Sequence, residues 1–177
     1  MSDSPTTSTY DVRAIANWFL DRAEKDGEFL TAMKLQKLVY VAHGWYLASR
    51  GPLVHDAVEA WRWGPVFRSL YRQFREFGSD DITTRATVFD GASLEDRRIS
   101  IGDYDTPDAE ETAQFLESVW NNYGEYSAGE LSDITHREGT PWHTMYKRMG
   151  HKIKPFTVIP NEMIKDHYVK LLSKQEK

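Results

Sequence analysis

The stretch from Thr31 to Ser49 restricts the fold more than any other part of the chain. Thr31 is placed to cap a helix. Leu35, Leu38, Val39, Ala42 and Tyr46 then follow at three- and four-residue steps, and Gly51-Pro52 ends the run. Val41, Trp45 and Leu47 fall outside that stripe and widen the apolar surface. One neighbour cannot cover so broad a surface, so the pattern predicts a central helix buried on more than one side. A chain organised about such a helix is mainly α.

The flanking segments supply its covering. Val12, Ile15, Ala16, Phe19, Leu20 and Ala23 keep the helical period until Asp26-Gly27. Leu53 to Trp63 has no such period and reads as a short strand or extended run, broken by Gly64-Pro65. Pro65 suits the first position of a third helix, with Val66, Leu70, Phe74 and Phe77 as its stripe and Gly78 as its stop. From Ser79 to Thr106 the chain is polar and irregular, and only ATVF and RRISI could pair as a small hairpin. Thr106-Pro107 is placed to open a fourth helix, with Phe115, Leu116, Val119, Trp120 and Tyr123 on its face. Ser127 with Glu130 forms a capping-box pattern for a fifth, and Thr140-Pro141-Trp142 starts a short sixth. Lys152 to Ile159 is expected to be extended, and Pro160 opens a last helix carrying Ile164, Tyr168, Leu171 and Leu172. The expected fold is a compact single-domain helical bundle of about six to seven helices, with a small β-hairpin or short extended strands. Residues 1–9 read as a flexible lead, 10–173 as the domain and 174–177 as a frayed end.

A length of 177 residues suits one domain, and 13% aromatic residues give ample core material. The formal net charge of −5 counts against a non-specific nucleic-acid binder, whose affinity rests on a basic excess. With no cysteine, disulfides, thiolate metal sites and cysteine nucleophiles are excluded. The polar start lacks the features of a signal peptide and no apolar run is long enough to span a bilayer, so the expected compartment is the cytoplasm.

Catalytic motifs are absent: there is no phosphate-binding glycine loop, no GxSxG and no HExxH. His136, Glu138 and His143 are the best metal-ligand candidates, and they define the rival reading of a metal-dependent hydrolase. Their spacing fits a zinc site poorly, so the expectation is no catalytic residue, no metal and no cofactor. Two basic groups stand out: Arg68, Arg72 and Arg75 on the third helix, and Lys147, Arg148, His151, Lys152 and Lys154 further on. Each is either a solvated face or a surface for an acidic partner. In Trp61-Arg62-Trp63, strand alternation would put both rings on one face. Either both rings are core, or one stays exposed as a binding anchor.

Three segments taken in order, LQKLVYVAHGWYLASRG (35–51), EAWRWGPVFRSLYRQF (59–74) and LSDITHREGTPW (131–142), resemble the Panacea domain family, the SocA-like antitoxins and phage-associated GepA-like proteins. The resemblance spans about residues 10 to 170. It implies a helical fold with a minor β element and a role as the antitoxin of a toxin–antitoxin module. The implied partner is a protein toxin encoded by an adjacent gene, neutralised by direct contact. A proteolytic-adaptor mode, delivering the toxin to ClpXP through ClpX, is the alternative that the family also implies. Leu35, Lys37, Leu38, Tyr40, Trp61, Gly64, Pro65, His136 and Trp142 carry the resemblance and read as structural. Trp61, Arg62, Trp63, Arg68, Arg72 and Arg75 are the candidate toxin-binding residues.

Overall fold

The helix at the centre is α2, Ala32–Ser49, and every residue from Leu35 to Gly44 on it is buried. A computed structural model describes residues 9–103 and 109–175 of the chain. Thr31 caps α2 by accepting from the Lys34 amide, as its position predicts. Around it pack α1 (Val12–Lys25), α4 (Ala109–Tyr123), α5 (Ala128–His136) and α7 (Asn161–Gln175). The remaining helices are α3 (Arg68–Phe74) and α6 (Pro141–Arg148).

Among the described residues there are thus seven α-helices, joined by two antiparallel hairpins. One pairs β1 (Val58–Trp61) with β2 (Gly64–Phe67), and the other pairs β3 (Thr87–Asp90) with β4 (Glu95–Arg98). This is the mainly α architecture with small β elements that the sequence pattern implies. No helix among the described residues is long and apolar enough to cross a membrane.

The capping expectations hold at atomic detail. The Ser127 hydroxyl accepts from the Glu130 amide, and the Glu130 carboxylate accepts from the Ser127 amide. Thr140 caps α6, with Pro141 in its first turn. Thr106 and Pro107 lie outside the described residues, as do residues 1–8.

Two expectations are corrected. The third helix begins at Arg68, because Gly64–Phe67 is drawn into pairing with β1, with Pro65 opposite Ala60 and Val66 opposite Glu59. Val66 is therefore a strand residue, and Phe77 sits in a 3₁₀ turn past the end of α3. The segment before Pro160 is mostly turn. Only around Val158 does it pair with β1, through Ala60 N–H to Thr157 O and Ile159 N–H to Val58 O.

Two closures depend on polar side chains. Asn17 on α1, fully buried, donates to the carbonyls of Ala86 and Ile99 and accepts from the Ala86 amide, tying down the base of the β3–β4 hairpin. Gln36 on α2 does the same for β2. Its amide donates to Phe67 O and accepts from Phe67 N–H, each at 3.0 Å. Gln36 thus occupies the position a further strand would take beside β2, whereas Asn17 bridges the two arms of the other hairpin just beyond their last strand pair.

Candidate protein-interaction site

The β1–β2 turn is where the sequence-selected residues converge. Trp61 pairs with Gly64, leaving Arg62 and Trp63 as the loop. Gly64 has a φ of +106°, a conformation that side-chain-bearing residues rarely adopt. A Cβ there would lie 2.3 Å from Lys37 Nζ and 2.8 Å from His136 Cε1, so glycine is required by space as well as by dihedral.

The carbonyls of this turn face inward onto side chains from three helices. Trp142 of α6 donates its indole N–H to Trp61 O at 2.7 Å. Lys37 of α2 donates to Trp63 O at 2.8 Å and to Pro65 O at 3.3 Å. His136, at the end of α5, lies with Nδ1 2.6 Å from Ser132 O and also meets the Arg62 carbonyl. Its ring packs 4.2 Å from that of Trp142, which stacks in turn on Tyr146. We call this arrangement the clamp.

The clamp has unusual electrostatics. Lys37 is only 1% exposed, and no carboxylate among the described residues pairs with it. Burial pushes its ammonium down to about 7. Burial also lowers His136, helped by the nearby Lys37 and opposed by its bonds to backbone carbonyls. A lysine in this setting is a hydrogen-bond donor to backbone oxygens before it is a charge.

Outside the clamp, the turn presents its own side chains to solvent. Trp63 is 68% exposed, with the Arg62 guanidinium 5.0 Å from its ring centroid. Trp61 is half-buried on the outer face of β1, where its indole N–H donates to Glu59 and its ring meets Tyr71 at 4.8 Å. Neither ring is core. A single strand face holding both tryptophans does not form, because the strand ends at Trp61 and position 63 belongs to the turn.

The three helix arginines have different surroundings. Arg68 grips Glu59 through two hydrogen bonds, of 2.9 and 2.6 Å, and its guanidinium lies 4.2 Å from the Phe156 ring centroid. Arg72 is exposed on the next turn, while Arg75 lies in the 3₁₀ turn beyond α3. The structure thus brings Trp61, Arg62 and Arg68 together and leaves Arg72 and Arg75 further along that side.

Sequence reasoning missed the segment opposite the hairpin. Ile153, Lys154, Pro155 and Phe156 face Trp61, Arg62 and Arg68 across an open cleft of about 350 Å³. Lys154 had stood out only as part of a basic run. Nothing in the local pattern announces Phe156, which takes a left-handed conformation with its ring exposed.

The proposed metal ligands do not converge. His136 turns inward to the clamp, while Glu138 is exposed and pairs with Lys147 at 3.0 Å. Among the described residues no three histidine or acidic side chains are grouped to hold a metal ion.

A mainly α domain that fixes a short hairpin against three helices defines the class, and comparison with known proteins gives its family. The chain belongs to the SocA-like antitoxin family built on the Panacea domain, whose family model matches residues 35–143. That span contains the β1–β2 turn together with Lys37, His136 and Trp142. Among curated proteins the chain is similar to antitoxin SocA of Caulobacter vibrioides (strain NA1000 / CB15N), with 33% identity over 159 residues, covering 89% of this chain and 82% of that protein. No solved structure matches the chain.

Proposed function

We propose that this protein is an antitoxin that neutralises a cognate protein toxin by direct binding, with the β1–β2 turn at the heart of the contact. Membership of the antitoxin family supports the role. One structural observation carries the location. A buried lysine with no counter-ion among the described residues and a glycine at φ +106° hold rigid a turn whose tip exposes a tryptophan and an arginine. The buried lysine is unfavourable for stability alone, and such costs concentrate where a protein performs its function.

A rigid tip carrying Trp63 and Arg62 binds without first losing conformational entropy, and these residue types dominate protein-interface energetics. Arg72 extends the surface along α3, and Arg68 supports it from behind by fixing Glu59 and Trp61. On this reading no catalytic step is involved and no cofactor is needed.

The test is affinity for the toxin encoded beside this gene. Trp63→Ala and Arg72→Glu are each expected to weaken binding at least tenfold while the thermal midpoint stays within a few degrees of wild type. Unchanged affinity in both variants, with the fold intact, would remove the turn and α3 from the interface.

A further inference from the structure

The cleft beside the hairpin has a chemistry of its own. The molecule as a whole is acidic, with a net charge of −5, yet every charged residue lining the cleft is a cation: Arg62, Arg68 and Lys154. The carboxylate beside it, Glu59, is already held by Arg68 and by the Trp61 indole. Arg62 and Lys154 make no ion pair among the described residues.

Between these cations the walls are apolar, made by Trp61, Ile153 and Phe156. Phe156 is 71% exposed and sits at φ +61°, a region a large side chain rarely enters. Arg68 stacks against the inner face of its ring, which keeps the ring at the cleft mouth. On the other side the β1–β2 sheet is anchored by Gln36 and Lys37, so that wall of the cleft is fixed.

We infer that this cleft takes an acidic segment of the partner protein, in which an apolar or aromatic side chain enters between Trp61 and Phe156 and flanking carboxylates meet Arg62 and Lys154. The inference rests on the toxin-binding reading and adds the chemistry of the toxin's contacting segment. Carboxylates fit because Arg62 offers a fork of donors and Lys154 a mobile ammonium, neither in an ion pair among the described residues. The apolar walls and the small number of cations disfavour a phosphate backbone, which is bound through many charges along a track.

Binding of the purified full-length chain to the product of the adjacent gene, measured by biolayer interferometry in low and high salt, tests this. Arg62→Glu and Lys154→Glu are expected to weaken binding at least tenfold each, and Phe156→Ser about as much. Lys165→Glu, on the exposed side of α7, should change it less than twofold. Wild-type affinity should fall with salt, and the two charge reversals should flatten that dependence. A ten-residue Glu/Asp-rich peptide with a central phenylalanine should compete with the toxin for wild type but not for Lys154→Glu. Toxin binding that survives intact in all three cleft variants would overturn the inference and leave the toxin-binding reading standing. A wild-type chain that binds no toxin would overturn both. Competition by a 20-base-pair DNA duplex, with none from the peptide, would replace the acidic segment with nucleic acid.

Discussion

Gly64 and Lys37 show how tightly a single position can be specified here. At Gly64 a methyl group would meet the Lys37 ammonium and the His136 ring, and the backbone is already in the left-handed region. Gly64→Ala is therefore expected to cost about 2–4 kcal/mol in urea unfolding, from strain and displaced donors together. A loss below about half a kcal/mol would mean that the clamp yields easily. Lys37 leaves a signature in the pH dependence. Its folded-state value, about 7, lies below the 10.5 of an unburied lysine, so between those values the unfolded chain binds a proton that the folded chain does not. Stability contributed by this residue therefore rises with pH across that window, by roughly 1 kcal/mol per unit. The difference in unfolding free energy between wild type and Lys37→Met should climb from pH 7 to pH 10 and stay level below pH 7. A difference that is flat throughout would show that the buried amine is not depressed.

At the scale of elements, the polar side chains Asn17 and Gln36 do work usually left to strands. Asn17 holds the β3–β4 hairpin by three hydrogen bonds to backbone. Replacing it with leucine leaves the buried Ala86 amide and Ile99 carbonyl without that partner, at about 1–3 kcal/mol. Hydrogen exchange on Asn17→Leu should accelerate in Thr87–Arg98 while the amides of α2 stay protected, and equal protection in both places would contradict the anchoring role. The helices themselves were legible in the sequence, because caps such as Thr31, Ser127 and Thr140 and the apolar period of α2 are local signals. The start of α3 was not. Pro65 satisfies the rule for a first helical turn and the rule for a strand position that gives up an N–H, and only the long-range pairing with Ala60 decides between them. Gln36 likewise gives no sign in sequence that its amide reaches Phe67. The same limit applies to Gly44, where α7 brings the Tyr168 ring so close that a Cβ would fall 2.1 Å from it.

At the scale of the whole molecule, three of the seven α-helices among the described residues, α2, α5 and α6, hold a short β-turn and leave its tip exposed. The shared motifs of the sequence became the clamp: Lys37, Gly64, His136 and Trp142 meet at one point although about a hundred residues separate the first from the last. Their convergence could be suspected from the family resemblance but not from spacing, since no local rule links a lysine in one helix to the carbonyls of a distant turn. The exposed residues around the clamp were only partly legible. Trp63 and Arg62 stood out by type, whereas Phe156 becomes visible only once the chain is folded and Arg68 lies over its ring. The most direct test of the central claim is co-expression of the chain with the product of the adjacent gene, scoring growth and then purifying the complex through a tag on this chain. The account predicts a neighbour that arrests growth alone, is harmless together with the wild-type chain, co-purifies with it in intact form, and escapes from Trp63→Ala. A neighbour that is not toxic, or whose toxicity is relieved without any stable complex, would contradict neutralisation by direct binding.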